Sequence, residues 1–312
     1  MNIRETRKIA EYYTEQTRYA EALPVWKQAF AMHREELGAR HKSTLVVQHR
    51  LAKCLMRLDC DAEALPLWTE TVELSDMVFG KKHLSSLGVR LELAECLARL
   101  GRHEEALPHW EQLYEGFRKV SGETHPCIRI VNEGLAKCLS HLGRYEAALP
   151  HWFELVEARE NALSTDDKST VFALYRFAEC LDQIGRHDEA LPRWHQALKL
   201  SEAAFGAEHK LTMTIHKSLA ECLRHLDRHD EGLPHWQRAS VLFEKLLGKD
   251  HKAVLVVRRR LAQCLTLLGR HDEALPQWEE LVELSEKVLG KRHASTRIVA
   301  ERLRRCRKRC QG

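Results

Sequence analysis

All seven tryptophans of the chain, Trp26, Trp68, Trp110, Trp152, Trp194, Trp236 and Trp278, stand 42 residues apart. Pro24, Pro66, Pro108, Pro150, Pro192, Pro234 and Pro276 keep the same step, and so do seven cysteines: Cys54, Cys96, Cys138, Cys180, Cys222, Cys264 and Cys306. A fixed period of this length marks a stacked architecture, in which a single unit cannot bury its apolar face and does so only against its neighbours. Seven periods fill 294 of the 312 residues and leave 18, enough for one further helix, with no insertion or linker. The expectation is one continuous solenoid over 1–312. Its repeats lie at about 1–42, 43–84, 85–126, 127–168, 169–210, 211–252 and 253–294, and a capping helix covers 295–310.

Each period carries two helical patterns. In STLVVQHRLAKCLMRL, Ser43 to Leu58, the residues Leu51, Cys54, Leu55 and Leu58 recur at spacings of three and four, on one helical face. Gly101, Gly143, Gly185 and Gly269 then stop this first (A) helix in the left-handed conformation of a helix C-terminus. Asp59 and Asp227 replace glycine there, at some cost. The second (B) pattern runs from about Asp61 to Phe79 and ends at Gly38, Gly80, Gly122, Gly206, Gly248 and Gly290 in successive copies. Connections of a few residues require antiparallel neighbours, so the expected fold is all-α, a pile of antiparallel helix pairs.

The segment RHDEALPQW, Arg270–Trp278, returns almost unchanged at Arg102, Arg186 and Arg228. It spans the A–B turn and the start of helix B. Its proline falls about one turn into that helix, near N–H groups that lack an intrahelical partner, where proline costs least. Alanine four residues before tryptophan puts a small and a large residue on one face, as close packing requires.

The helix pair with L-A in helix A, then glycine, then E-A, resembles the tetratricopeptide repeat. The 42-residue length, A-L-P-x-W and the E-x-x-x-G-x-x-H ending are similar to the long variant in kinesin light chains. The resemblance covers essentially the whole chain. It implies a right-handed superhelix whose A helices line a concave groove for extended or helical peptides. In kinesin light chains, paired asparagines before L-A clamp the peptide backbone. Here those positions are His49–Arg50, Leu91–Glu92, Glu133–Gly134, Tyr175–Arg176, Lys217–Ser218 and Arg259–Arg260, with no asparagine. The Lys/Asn clamp of chaperone-binding relatives is also absent as a set, so the family's cargo preference does not carry over.

Residues with chemical potential fit the architecture more simply. The tryptophan ladder, which could stack bases if exposed, shares a face with alanine and is expected in the core. One cysteine per repeat, between leucines, is spaced by at least a helix-packing distance of roughly 8–10 Å, too far for one ion. Cys306 and Cys310, four apart in a basic stretch, are the pair in which reactive thiols would be sought. His41, His83, His125, His209, His251 and His293, three after the B-helix glycine slot, are expected to cap or pack the loop. No H-E-x-x-H, C-x-x-C, G-x-S-x-G or phosphate loop occurs, so no enzyme activity, metal or cofactor is expected. At ALSTDDKST, Ala162–Thr170, Ser164 takes the glycine slot and Asp167 the histidine slot, an altered loop or a contact site.

Phase places seventeen basic and nine acidic residues on the A-helix groove face, against a net charge of +4 for the chain. The expected peptide-binding residues are Arg50, Lys53, Arg57, Arg99, Lys137, Tyr175, Arg176, Lys217, Arg224, Arg259, Arg260, Arg302 and Arg305. Such a face would steer acidic segments inward and pair arginine with carboxylate. The closing RLRRCRKRC suits a polar cap and also a nucleic-acid patch. The expected function is a non-catalytic scaffold binding an acidic or amphipathic protein segment. The alternatives are nucleic-acid binding, or a structural, self-assembling or engineered rod without a specific ligand. The charged start MNIRETRKIAEYY has no apolar h-region and no apolar run reaches 18 residues, so a cytoplasmic protein, monomeric or associating end to end, is expected.

Overall fold

A computed structural model describes residues 2–121, 126–160 and 168–311, and these hold fifteen α-helices and no strand. They are α1 (Ile3–Glu15), α2 (Tyr19–Leu37), α3 (Lys42–Arg57), α4 (Asp61–Phe79), α5 (Leu84–Arg99), α6 (His103–Ser121), α7 (Pro126–His141) and α8 (Tyr145–Glu160). There follow α9 (Lys168–Gln183), α10 (His187–Phe205), α11 (Lys210–His225), α12 (His229–Leu247), α13 (Lys252–Leu267), α14 (His271–Leu289) and α15 (Ala294–Gln311). Odd numbers are A helices and even numbers B helices. The chain forms two compact units, Met1–His151 and Trp152–Gly312. The irregular junction lies outside the described residues up to Asp167, as do Gly122 and His125.

Within unit 1 the pairing is antiparallel. Thr14 near the end of α1 accepts from Trp26 Nε1 in α2 at 2.9 Å, and Thr6 near its start lies 3.7 Å from Met32 Sδ. In unit 2 the same tryptophan bond joins Trp278 to Thr266 at 3.1 Å and Trp194 to Asp182 at 2.5 Å. Every tryptophan is at most 2% exposed, with an alanine or Gly232 four residues earlier also buried. Emptying such a site would cost about 3–5 kcal/mol. The ladder cysteines are buried too. Those at Cys54, Cys96, Cys138, Cys222, Cys264 and Cys306 each donate to the first carbonyl of the preceding B helix, at 3.1–3.7 Å.

Two kinds of turn make the hairpins. After each A helix from α1 to α13 the chain closes with a six-to-one bond, such as Arg102 N–H to Leu97 O at 2.9 Å. The residue before it has positive φ: Gly101 at 73°, but also Asp59, Asp227 and Thr17 at 56–57°. After the B helices, Gly38, Gly80, Gly206, Gly248 and Gly290 combine φ of 83–92° with ψ of 147–161°. That region is open essentially to glycine alone. The first slot therefore tolerates other residues, and the second holds glycine wherever it is described.

The recurring box has a division of labour. Arg102, Arg186, Arg228 and Arg270 each grip the glutamate three residues on with two bonds of 2.6–2.7 Å. The proline departs from expectation, because it is the sixth helical residue. Ala22 N–H, two residues before Pro24, already bonds Arg18 O, so each proline forfeits one helical bond. The carbonyl left over belongs to the second helical residue, which is exposed in every copy and open to water. The slot histidines His41, His83, His209, His251 and His293 act as N-caps. In each, Nδ1 accepts from the backbone N–H two residues on, at 3.1 Å.

Candidate functional site

The A helices carry the expected binding residues, and their ion pairs differ between the units. In unit 1, Lys53 of α3 reaches Glu92 of α5 at 2.6 Å, and Arg99 reaches Asp59 and Asp61 at 2.7 and 3.0 Å. Lys137 pairs with Glu133 in its own helix at 2.7 Å. Burial and then Glu92 push the Glu95 carboxyl above its usual range, and burial lowers the His49 imidazole. Arg50 and Arg57 are exposed, with no ion pair among the described residues. This is a mixed polar surface, much of whose positive charge is already answered.

Unit 2 is more basic. Tyr175 is half-buried with its ring edge against Trp194, and its hydroxyl donates to Glu179 at 3.2 Å. Burial, then Glu179, pushes that hydroxyl up to about 12. Arg176 pairs with Glu179 at 2.8 Å and lies over the Phe172 ring. Glu221 of α11 binds both Arg224, at 2.9 Å, and Arg260 of α13, at 2.8 Å. Burial disfavours the charge on Arg260, Glu221 opposes that, and Arg224 and Arg259 add to it. Buried Nε atoms of Arg224 and Arg259 have no hydrogen-bond partner. Lys217 is half-buried, and Arg302 is exposed.

Beside this cluster is a cavity of about 510 Å³ framed by α11, α13 and α15. Arg224, Arg260, Arg302, Arg305 and Arg309 line it, and Asp227 is the one carboxylate in its wall. Arg305 is held by Glu301 at 2.9 Å, while Arg302 and Arg309 have no ion pair among the described residues. The nearly fully buried Trp236, Trp278, Cys264 and Cys306 and the exposed Leu267 also border it. Guanidinium groups converging on a half-enclosed space suit carboxylates, which they bind in a planar fork. Four of the expected residues meet there. Arg50, Lys53, Arg57, Arg99 and Lys137 belong to unit 1.

A second cluster escaped the sequence reading. Asp182 of α9, His187 of α10 and Cys222 of α11 bring their donor atoms within 4.8 Å of one another. Counting one cysteine or one histidine per repeat hides such a group, because its members are of three kinds and come from three helices. Of Cys306 and Cys310, where a reactive thiol would be sought, Cys306 shows no lowered thiol. Cys306 is buried and its thiol is raised by burial, with Cys310 adding to the shift. The thiols of Cys54, Cys96, Cys138 and Cys264 are pushed up to about 11 by burial, as inert core groups are.

Family models described as tetratricopeptide repeat match residues 86–161 and 211–287, and a further one matches 7–42. The chain belongs to the tetratricopeptide-repeat family. Repeats of this family mediate protein–protein interaction. The fold of this tetratricopeptide-repeat protein is similar to that of the kinesin light chain TPR-like repeats of Podosopora anserina. That likeness has a TM-score of 0.54 at 22% identity, over 65% of this chain and 96% of that one. It is also similar to the C-terminal part of a TPR repeat-containing protein from Cytophaga hutchinsonii, with a TM-score of 0.62 at 12% identity over 94% and 98% of the two chains. YrrB, described as a TPR protein with an unusual peptide-binding site, gives 0.51 at 16% identity over 70% and 94%. No curated protein matches the sequence. Among the described residues of this repeat protein, no helix is long and apolar enough to cross a membrane.

Proposed function

We propose that the protein is a non-catalytic interaction scaffold whose A-helix face holds an acidic or amphipathic segment of a partner protein. The arginine-lined cavity of unit 2 is its principal anchor. The observation that carries this reading is the convergence of five arginines on one cavity with a single carboxylate in its wall. Arg302 and Arg309 would meet a ligand carboxylate without first breaking an internal pair, whereas Arg224, Arg260 and Arg305 would exchange or share theirs. The exposed Leu267 in its wall would add apolar contact for an amphipathic segment. The YrrB likeness supports peptide binding as a use of this fold, and the residues that would do it here are this chain's own.

Fluorescence anisotropy tests the reading. Labelled acidic peptides, their lysine-substituted counterparts and a single-stranded oligonucleotide are titrated into the full chain at several salt concentrations. The acidic peptides are expected to bind at least about tenfold more tightly than the basic ones. An Arg260→Glu/Arg302→Glu variant is expected to lose that preference, and Arg50→Glu reports whether unit 1 contributes. Oligonucleotide binding stronger than peptide binding, with a steep logarithmic salt slope, would instead establish a nucleic-acid ligand.

A further inference from the structure

We propose that Asp182, His187 and Cys222 form a three-ligand site for a zinc-type divalent cation, with water as the fourth ligand. A carboxylate oxygen, an imidazole nitrogen and a sulfur, all within 4.8 Å of one another, surround one point in unit 2. Bonds of about 2.0–2.3 Å in a tetrahedron require ligand atoms about 3.3–3.8 Å apart, so Asp182 Oδ1 and His187 Nδ1, hydrogen-bonded at 2.8 Å, must part slightly to admit the ion. The mixture of hard, borderline and soft donors suits zinc or cobalt, not calcium or magnesium. The Asp182 and His187 side chains are 16% and 19% exposed, which leaves a path for the ion and its water, while Cys222 closes the inner side.

Comparison with the other repeats isolates the site. At the three equivalent positions they carry Thr14, Tyr19 and Cys54; Met56, Asp61 and Cys96; Ala98, His103 and Cys138; Ser140, Tyr145 and Cys180; Arg224, His229 and Cys264; and Thr266, His271 and Cys306. Only one repeat combines carboxylate, imidazole and thiol. Core packing does not require Asp182, because Thr14 and Thr266 accept the same tryptophan N–H without a buried charge. In its place Trp194 Nε1 donates to Asp182 Oδ2 at 2.5 Å, an outer contact that fixes a ligand carboxylate and turns its other oxygen, Oδ1, toward His187. The His187 ring, 2.8 Å from Asp182 through Nδ1, is held by stacking on His225 at 4.5 Å.

Binding has a defined proton balance. The Cys222 S–H bond breaks, its proton leaves to solvent, and the sulfur lone pair takes the metal. The His187 proton facing Asp182 moves to the other ring nitrogen by exchange with solvent. Affinity therefore rises with pH.

The test is cobalt titration of the reduced full chain, followed by displacement with zinc. One equivalent of Co²⁺ should give a thiolate-to-metal charge-transfer band with tetrahedral visible bands. Cys222→Ser should abolish the charge-transfer band, and Cys264→Ser, the same slot one repeat on, should leave it. Asp182→Thr retains an acceptor for Trp194, so it should keep the helical circular dichroism signal while weakening cobalt binding about tenfold or more. It decides the question even if Cys222→Ser does not fold. No charge-transfer band at millimolar cobalt, or a band of equal affinity in Asp182→Thr, would overturn the site.

Discussion

Trp110 of α6 occupies the space that a side chain at position 134 of α7 would need. A Cβ placed on Gly134 would come within 2.7 Å of Trp110 Cζ2 and closer still to Cζ3 and Cη2. The other A helices carry Lys8, Arg50, Glu92, Arg176, Ser218, Arg260 and Arg302 at this position. Glycine there is a concession to a tryptophan that leans further across than its counterparts. In an open helix, Gly→Ala would gain about 1 kcal/mol. Gly134→Ala is instead expected to destabilise unit 1 by about 1–3 kcal/mol, because the ring must move and the core is close-packed. Chemical denaturation measures the sign, and a stabilised variant would contradict the close approach.

The same tryptophan lacks a hydrogen-bond partner. Trp110 Nε1 is buried and unsatisfied, whereas Trp26 and Trp278 donate to threonines twelve residues earlier. In this repeat that position is Ala98. Ala98→Thr should supply the acceptor. The orphaned donor costs about 1–3 kcal/mol and threonine loses about 0.5 kcal/mol of helix propensity, so a net gain near 1 kcal/mol is expected from urea unfolding. Ala98→Val, which matches its shape without the hydroxyl, should show no gain.

Thr17 holds a left-handed turn at φ 56°, where most repeats have glycine. A β-branched residue is strained there by about 1–2 kcal/mol. Thr17→Gly should raise stability by about 1 kcal/mol after the extra chain entropy of glycine. Asp59→Gly should gain less, because aspartate tolerates the conformation and Asp59 also binds Arg99 at 2.7 Å. Paired thermal melts of the two variants check the order.

His216 and His235 face one another with Nδ1 atoms 3.0 Å apart in unit 2. Burial, then His235, lowers the His216 imidazole to about 4, and burial also lowers His235. A depressed histidine favours the folded state when neutral. Its contribution is complete above the unfolded value near 6.5 and is lost as pH falls from there to about 4. Over that window acidification should cost about 2–3 kcal/mol from His216 alone. His216→Leu, which copies the buried Leu174 one repeat earlier, should flatten the pH dependence of unfolding.

Much of the architecture was legible because its signals are local or strictly periodic. The tryptophan step gave the repeat, the spacing of Leu51, Cys54 and Leu55 gave an amphipathic helix, and one-per-repeat histidines suited a cap. Their Nδ1 contacts follow from a position fixed within two residues. Proline was misjudged by about half a turn, because the true start of helix B depends on the A–B turn closing at Arg18 and its equivalents.

The charge of the binding face was less legible. Counting by phase found the excess of basic residues, but Lys53–Glu92, Arg99–Asp59 and Arg260–Glu221 are partners 39 or 40 residues apart. Which residues remain available depends on how neighbouring A helices stack, and a count along one helix does not contain that.

The sequence by itself determined an all-helical repeat with buried tryptophans and glycine-closed turns. These rest on local propensity and on burial patterns that recur every 42 residues. Tertiary structure alone decided which arginines share a cavity, which are already paired, and that Asp182, His187 and Cys222 meet. Those facts depend on side chains from successive helices converging in space, and their direction is set by the packing register between helices.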